Sequence, residues 1–226
     1  MVIDPAELPV HLRYNLMIGA IVPRPIAVVG TRSPDGRDNL APFSFFMGAG
    51  SEPMGLVISV ANPPAGQGEK DTLRNAKPVA EGGTGVFSVS VATEEVILRV
   101  VGAAEPLPYG ESEFALTGLT PAPCLAIAAP RVAESPVSFE CRTRTVVRLN
   151  PGARGGTNLL VGEVVRIHLD EALAHERMHI DPAKLRAVGR MGGPEYCRTT
   201  ERTAIPHGRQ ALETPLRWTR DPHAEA

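Results

Sequence analysis

Lysine, cysteine and net charge are all scarce in this chain, and each shortage removes a class of explanation. Of 23 basic residues among 226, only Lys70, Lys77 and Lys184 are lysines, against 20 arginines, so the place of each lysine carries weight. The formal net charge of -2 argues against a general affinity for nucleic acid or anionic membranes. Cys124, Cys141 and Cys197 are odd in number, widely spaced and form no C-x-x-C pair. They read as free thiols in a reducing cytoplasm. No apolar run reaches the roughly 18 residues of a membrane helix, and Met1-Val2-Ile3-Asp4-Pro5 lacks a signal-peptide profile. The expected location is the cytoplasm.

Helical patterning is scarce too. Short helices are expected at 71–76, at 93–101 with Thr93 as N-cap and Gly102 just past the end, and at 182–187 behind Asp181-Pro182. What the chain has instead is strands. Residues 55–61 and 85–92 are apolar and β-branched, as buried strands are. Residues 136–149 alternate, with Val137, Phe139, Cys141, Thr143, Thr145, Val147 and Leu149 on one face. Residues 158–170 place Leu159, Val161, Val165, Ile167 and Leu169 on one side. The loop 151–156 makes these two a hairpin. The pattern predicts a mainly β, antiparallel barrel with short decorating helices. Residues 1–205 read as one domain, and 206–226 as a polar, Pro-rich tail or an arm on a neighbouring subunit.

The densest stretch is Arg24-Pro25-Ile26-Ala27-Val28-Val29-Gly30-Thr31, a Ser33-Pro34-Asp35-Gly36 turn, then Asn39-Leu40-Ala41-Pro42-Phe43-Ser44-Phe45-Phe46. Ile26 to Val29 reads as a buried strand and Pro-Asp-Gly as turn chemistry. Pro42 gives no N–H to a ladder, so main-chain groups near it are expected to lack strand partners and to suit a flat heterocycle with a polar edge. Lys70-Asp71-Thr72-Leu73-Arg74-Asn75 is the phosphate candidate. Asp71 or Thr72 can cap the helix, whose first N–H groups attract an anion, Lys70 adds charge and Thr72 a hydroxyl. Alone, it also reads as a plain capped surface helix. The preceding loop, 63–68, has no side-chain bulk to block a ligand. His175-Glu176-Arg177-Met178-His179 matches the zinc-protease H-E-x-x-H, but Pro182 ends any helix within three residues and no third histidine follows at the required spacing. A polar surface connection is expected there, and no metal site. Arg24 is a candidate contact for an anionic ligand, but at a strand entrance it reads more readily as a solvated flank.

These motifs, in this order, resemble the flavin-reductase-like family of FMN-binding split barrels. Glu113-Phe114, Gly118-Leu119-Thr120-Pro121, the 133–141 segment, Gly162-Glu163-Val164-Val165 and Gly189-Arg190-Met191-Gly192-Gly193 with Tyr196 extend the resemblance from about residue 20 to 205. It implies a six-stranded split barrel, FMN as cofactor and a homodimer with two flavin sites at its interface. NAD(P)H is the implied substrate, and a monooxygenase component a possible recipient of electrons. Carried over by position, Thr31 and Asn39, Leu40, Ala41, Pro42, Phe43 and Ser44 hold the isoalloxazine and ribityl chain. Lys70 and Thr72, with Asp71, Ser59 or Asn62 nearby, hold the phosphate. Arg190, Gly192 and Tyr196 form a later loop near the flavin, supplied from the same or the other subunit. Gly30 departs from the family, which commonly has a hydroxyl there, and a lost hydrogen bond is expected to loosen the flavin. No catalytic residue is named, because the flavin carries the chemistry. The competing reading is a flavin carrier without turnover.

Overall fold

The computed structural model describes residues 1–64 and 66–220. In chain order the strands are β1 (Ala27–Arg32), β2 (Asp38–Phe43), β3 (Phe46–Ser51), β4 (Met54–Ala61), β5 (Val86–Val91), β6 (Pro121–Pro123), β7 (Pro130–Val132), β8 (Val137–Leu149), β9 (Thr157–Leu169), β10 (Val188–Arg190), β11 (Tyr196–Arg198), β12 (Glu201–Arg202) and β13 (Thr219–Arg220). The α-helices are α1 (Val10–Ala20), α2 (Asp71–Ala76), α3 (Ile97–Gly102), α4 (Glu113–Thr117) and α5 (Pro182–Leu185). No helix among the described residues is long and apolar enough to cross a membrane.

Seven strands, not six, form the main sheet, in the order β2-β1-β5-β8-β9-β4-β3. The extra strand comes from the arm after the 33–36 turn, which is two strands. β2 and β3 lie at opposite edges of the sheet, and only Ser44 and Phe45 separate them. A sheet whose two edges are joined by two residues is a barrel with one unzipped seam. Phe45 holds that seam close to β4, its carbonyl accepting from Ser59 N–H at 2.8 Å. The sequence pattern hides β3 because Phe46-Met47-Gly48-Ala49-Gly50-Ser51 has no alternation, and five of its six residues are exposed.

β1 is buried on both faces, which explains its unbroken apolar run. Inside the barrel, Val29 packs with Phe43, Ile58, Val60, Phe87, Val89, Cys141 and Leu160. On the outer side, Ile26, Val28 and Leu40 pack with Val96, Val100, Phe114 and Leu119 from α3, α4 and their flanks. Contrary to expectation, β2 is an ordinary antiparallel edge strand, with Pro42 opposite Val28. Leu40 N–H donates to Glu113 Oε2 at 2.8 Å, and Pro42 has no N–H to donate. The edge is therefore covered at Leu40, a common way to blunt a strand edge, while Pro42 and Phe43 border a groove described below.

β8 and β9 are 13 residues each, but their faces are not those of simple alternation. The register shifts between Glu140 and Cys141, and again between Thr143 and Thr145. Each bulge inserts a residue and reverses which side chains face inward. Leu160 in β9 is wholly buried, and so is Glu140 in β8, assigned by alternation to the solvent face. Ile167 is exposed. Other boundaries moved less. α3 starts at Ile97, because Thr93 is held in a β-bridge to Ala187, and includes Gly102. α5 stops at Leu185, where Arg186 takes a left-handed conformation. β13 pairs with β12 of this same chain, while 221–226 lie outside the described residues.

Candidate functional site

The residues expected to form one site fall into three groups. The first is a closed polar cluster. Asn39 Nδ2 donates to Thr31 Oγ1 at 3.1 Å and to Thr72 Oγ1 at 3.4 Å, and Asn75 Nδ2 donates to Thr31 Oγ1 at 3.1 Å. All four residues are buried. Tyr109, stacked under the guanidinium of Arg74 at 4.3 Å, lies over the same corner with Arg37. Thr31, Asn39 and Thr72 therefore tie the first hairpin to α2; they line neither of the two grooves described next.

The second group surrounds a groove of about 460 Å³ between the 62–70 segment and the β8–β9 hairpin loop, lined by Asn62, Pro63, Pro64, Gly66, Gly68 and Lys70 among others. Asn62 organises its floor, donating to the carbonyls of Asn150 at 3.2 Å and Ala153 at 3.0 Å while accepting from Asn158 at 2.8 Å. Lys70 occupies the N-cap position of α2, where no side chain caps the helix. The expected cap by Asp71 or Thr72 fails because Asp71, inside the first turn, pairs with Arg74 at 3.0 Å. Glu69 on the other side pairs with Lys77 at 2.6 Å. Both acids flanking Lys70 are thus taken by other cations, and its ammonium has no partner among the described residues. Loss of surrounding water lowers the Lys70 pKa. An uncompensated, exposed cation beside an open groove is suited to an anion.

The third group lines a groove of about 260 Å³ formed by Pro42, Phe43, Ser44, Arg190 and Tyr196 together with Tyr14, Ile18, Arg24 and residues of α3. β10 and β11 bring Arg190 opposite Tyr196, where the guanidinium lies 4.4 Å from the ring centroid and donates to Gly193 O at 2.6 Å and to the Tyr196 hydroxyl. Arg24 is 4% exposed, not a solvated flank. It donates to Ser44 Oγ at 3.2 Å, to the carbonyls of Ile18 and Ile21 at 2.7 Å each, and to Met191 O at 3.0 Å. This one side chain links α1, the 44–45 seam and the loop after β10. Sequence reading missed Tyr14 and Ile18 because they lie ahead of the motifs; their i, i+4 spacing in an apolar helix was the available signal.

The remaining expected residues play other parts. Leu40 is core, and Ala41 packs against the barrel interior. Ser59 pairs its hydroxyl with that of Thr157 at 2.7 Å. Gly192 sits against α1, where a Cβ would meet Gly19 Cα at 3.4 Å. The glycine at position 30 has a steric cause: a Cβ would lie 2.0 Å from Pro130 O and 2.7 Å from Ser88 Oγ. The Ser88 hydroxyl beside it donates to Pro130 O at 2.5 Å. His175 to His179 is no α-helix. His175 N–H bonds back to His179 O at 2.8 Å, and Arg177 and Met178 have φ of 61° and 60°, so the two histidines do not share a helix face.

The molecule is thus a β-barrel open along one seam, with an anion-suited groove ahead of α2 and a second groove at the seam. Its architecture is shared by three solved structures. The Bacillus cereus nitrilotriacetate monooxygenase component B superposes with a TM-score of 0.83 at 32% identity, over 91% of this chain and 98% of that one. Pseudomonas fluorescens 2-nitrobenzoate 2-nitroreductase NbaA gives 0.79 at 28% identity, over 92% and 97%. A candidate flavin reductase with a split barrel domain from Shewanella frigidimarina gives 0.78 at 21% identity, over 92% and 100%, a likeness of fold. Residues 18–186 match the flavin reductase like domain, and the chain belongs to that family.

Proposed function

We propose that the protein binds FMN and passes electrons from NADH or NADPH through it to an acceptor. The observation that carries this reading is Lys70, a cation without a counter-charge at a groove with room for a ligand's phosphate end, in a chain of the flavin-reductase-like family. The residues present fit the cofactor's two ends. Lys70 would hold the phosphate, with Asn62 fixing the groove floor beneath it, and Pro42, Phe43, Ser44, Arg190 and Tyr196 would border the ring. Thr31, Asn39 and Thr72 act as positioning residues between them, fixing β2 against α2. When bound, FMN supplies two-electron chemistry at its ring; the protein supplies orientation, exclusion of water and hydrogen bonds.

The acceptor is a partner monooxygenase, oxygen or a small reducible molecule; the likeness to a Bacillus cereus monooxygenase component and a Pseudomonas fluorescens nitroreductase supports the first and last of these classes. A homodimer is supported by α1, which has no buried residue although Val10, Leu12, Tyr14, Leu16 and Met17 are all exposed. A reducing cytoplasm suits the three free thiols. Mixing FMN-loaded protein with NADH or NADPH under nitrogen tests the activity. Bleaching of the flavin at a rate matching turnover supports it. Bound flavin that stays oxidised identifies a carrier, and failure to bind FMN overturns the reading.

A further inference from the structure

Away from both grooves, three chemically different side chains converge. Cys124 directly follows β6, Glu140 lies in β8 beside a bulge, and His168 is near the end of β9. Their sulfur, carboxylate oxygen and ring nitrogen all lie within 4.8 Å of one another. Glu140 is 0% exposed, and no lysine or arginine pairs with it among the described residues. Its charged-group partner is His168, with Nε2 to Oε1 at 2.6 Å. A fully buried carboxylate needs a cation or several donors. Leu125 N–H at 2.7 Å and Ala126 N–H at 2.6 Å donate to its two oxygens and fix its orientation.

We propose that Cys124, Glu140 and His168 bind a zinc ion. A thiolate, an imidazole and a carboxylate form a donor set that suits zinc and excludes the all-oxygen preference of calcium and magnesium. On binding, the Cys124 thiol releases its proton to solvent as the Zn–S bond forms. His168 Nε2, which donates to the Glu140 carboxylate, gives up that proton to solvent while the ring carries its proton on Nδ1, and the freed lone pair turns to the metal. Thiolate and carboxylate together balance the dication, leaving the loaded site neutral. The two backbone donors to Glu140 are the outer support that metal-ligating carboxylates require. His168 also lines a groove of about 1030 Å³, together with Arg131, Glu134 and Lys184, and this groove shares no lining residue with the two candidate flavin grooves. The fourth coordination position is therefore reachable by water or a small ligand. No sequence motif announces the set, since its members are 16 and 28 residues apart and meet only through the β8–β9 pairing and the β6–β7 loop.

Tag-free protein stripped with a chelator and titrated with cobalt(II) provides the test. One equivalent should bind, giving a thiolate-to-cobalt charge-transfer band that zinc displaces. Cys124→Ser should abolish the band, and His168→Gln should weaken cobalt binding by at least about tenfold. His175→Ala with His179→Ala should change neither. No band in the wild-type protein, or a band that survives in Cys124→Ser, overturns the proposal. If Cys124→Ser does not fold, unchanged cobalt affinity in His168→Gln overturns it equally.

Discussion

At the scale of single residues, the sequence was most legible where a residue type is rare. Lys70 stood out as one of three lysines, and the structure leaves it without a counter-ion. Lys70→Ala should weaken FMN binding about 10- to 100-fold in a fluorescence-quenching titration, the size of a charge-assisted phosphate contact; Lys70→Arg should recover part of it. The lowered pKa sets a direction with pH. The fold holds this proton less tightly than a free lysine does, so the charge is lost at lower pH than usual. FMN affinity should therefore fall as pH rises through that lowered value, and the fall should be absent from Lys70→Ala. Arg24 was misread because sequence shows a charge and its neighbours but not the four carbonyl and hydroxyl oxygens that receive it. Thr31 and Asn39 were placed on the right hairpin, yet their side chains turn toward Asn75 and Thr72, contacts that depend on where α2 docks.

At the scale of elements, length and alternation gave the β8–β9 hairpin, while its bulges, which reverse the faces, leave no mark in an apolar pattern. The break between β2 and β3 was equally hidden, since Ser44-Phe45 has no turn chemistry. Pro42 drew attention for the right reason, its missing N–H, but the neighbouring Leu40 N–H is taken by Glu113 of α4. That hydrogen bond is testable. Glu113→Ala should destabilise the fold by about 1–3 kcal/mol in chemical denaturation, because Leu40 N–H loses its acceptor. Burial raises the Glu113 pKa, so the native state holds this proton more tightly than the unfolded chain does. Its contribution to stability should decline as pH rises from the ordinary carboxylate range through the raised value. Glu113→Gln keeps an acceptor and should remove that slope.

At the scale of the whole molecule, the barrel leaves an apolar helix uncovered, since none of α1 is buried. Light scattering should show a dimer, and Leu16→Glu with Met17→Glu should shift it to monomer; a wild-type monomer at micromolar concentration would remove the homodimer from the reading. The mainly β, antiparallel character was legible because long strands keep their patterning, whereas the strand count was seven rather than six because β3 lacks that patterning, and assembly depends on surfaces that a lone sequence does not display. The joint at Ser44–Phe45 has a topological corollary. Phe43 and Phe46 pair with β1 and β4 on opposite borders of the sheet, so severing the peptide between them interrupts no ladder of the seven-stranded order. A circularly permuted chain that begins at Phe45 and ends at Ser44 should thus keep the architecture while freeing both flanks of the groove that Arg24 now clasps.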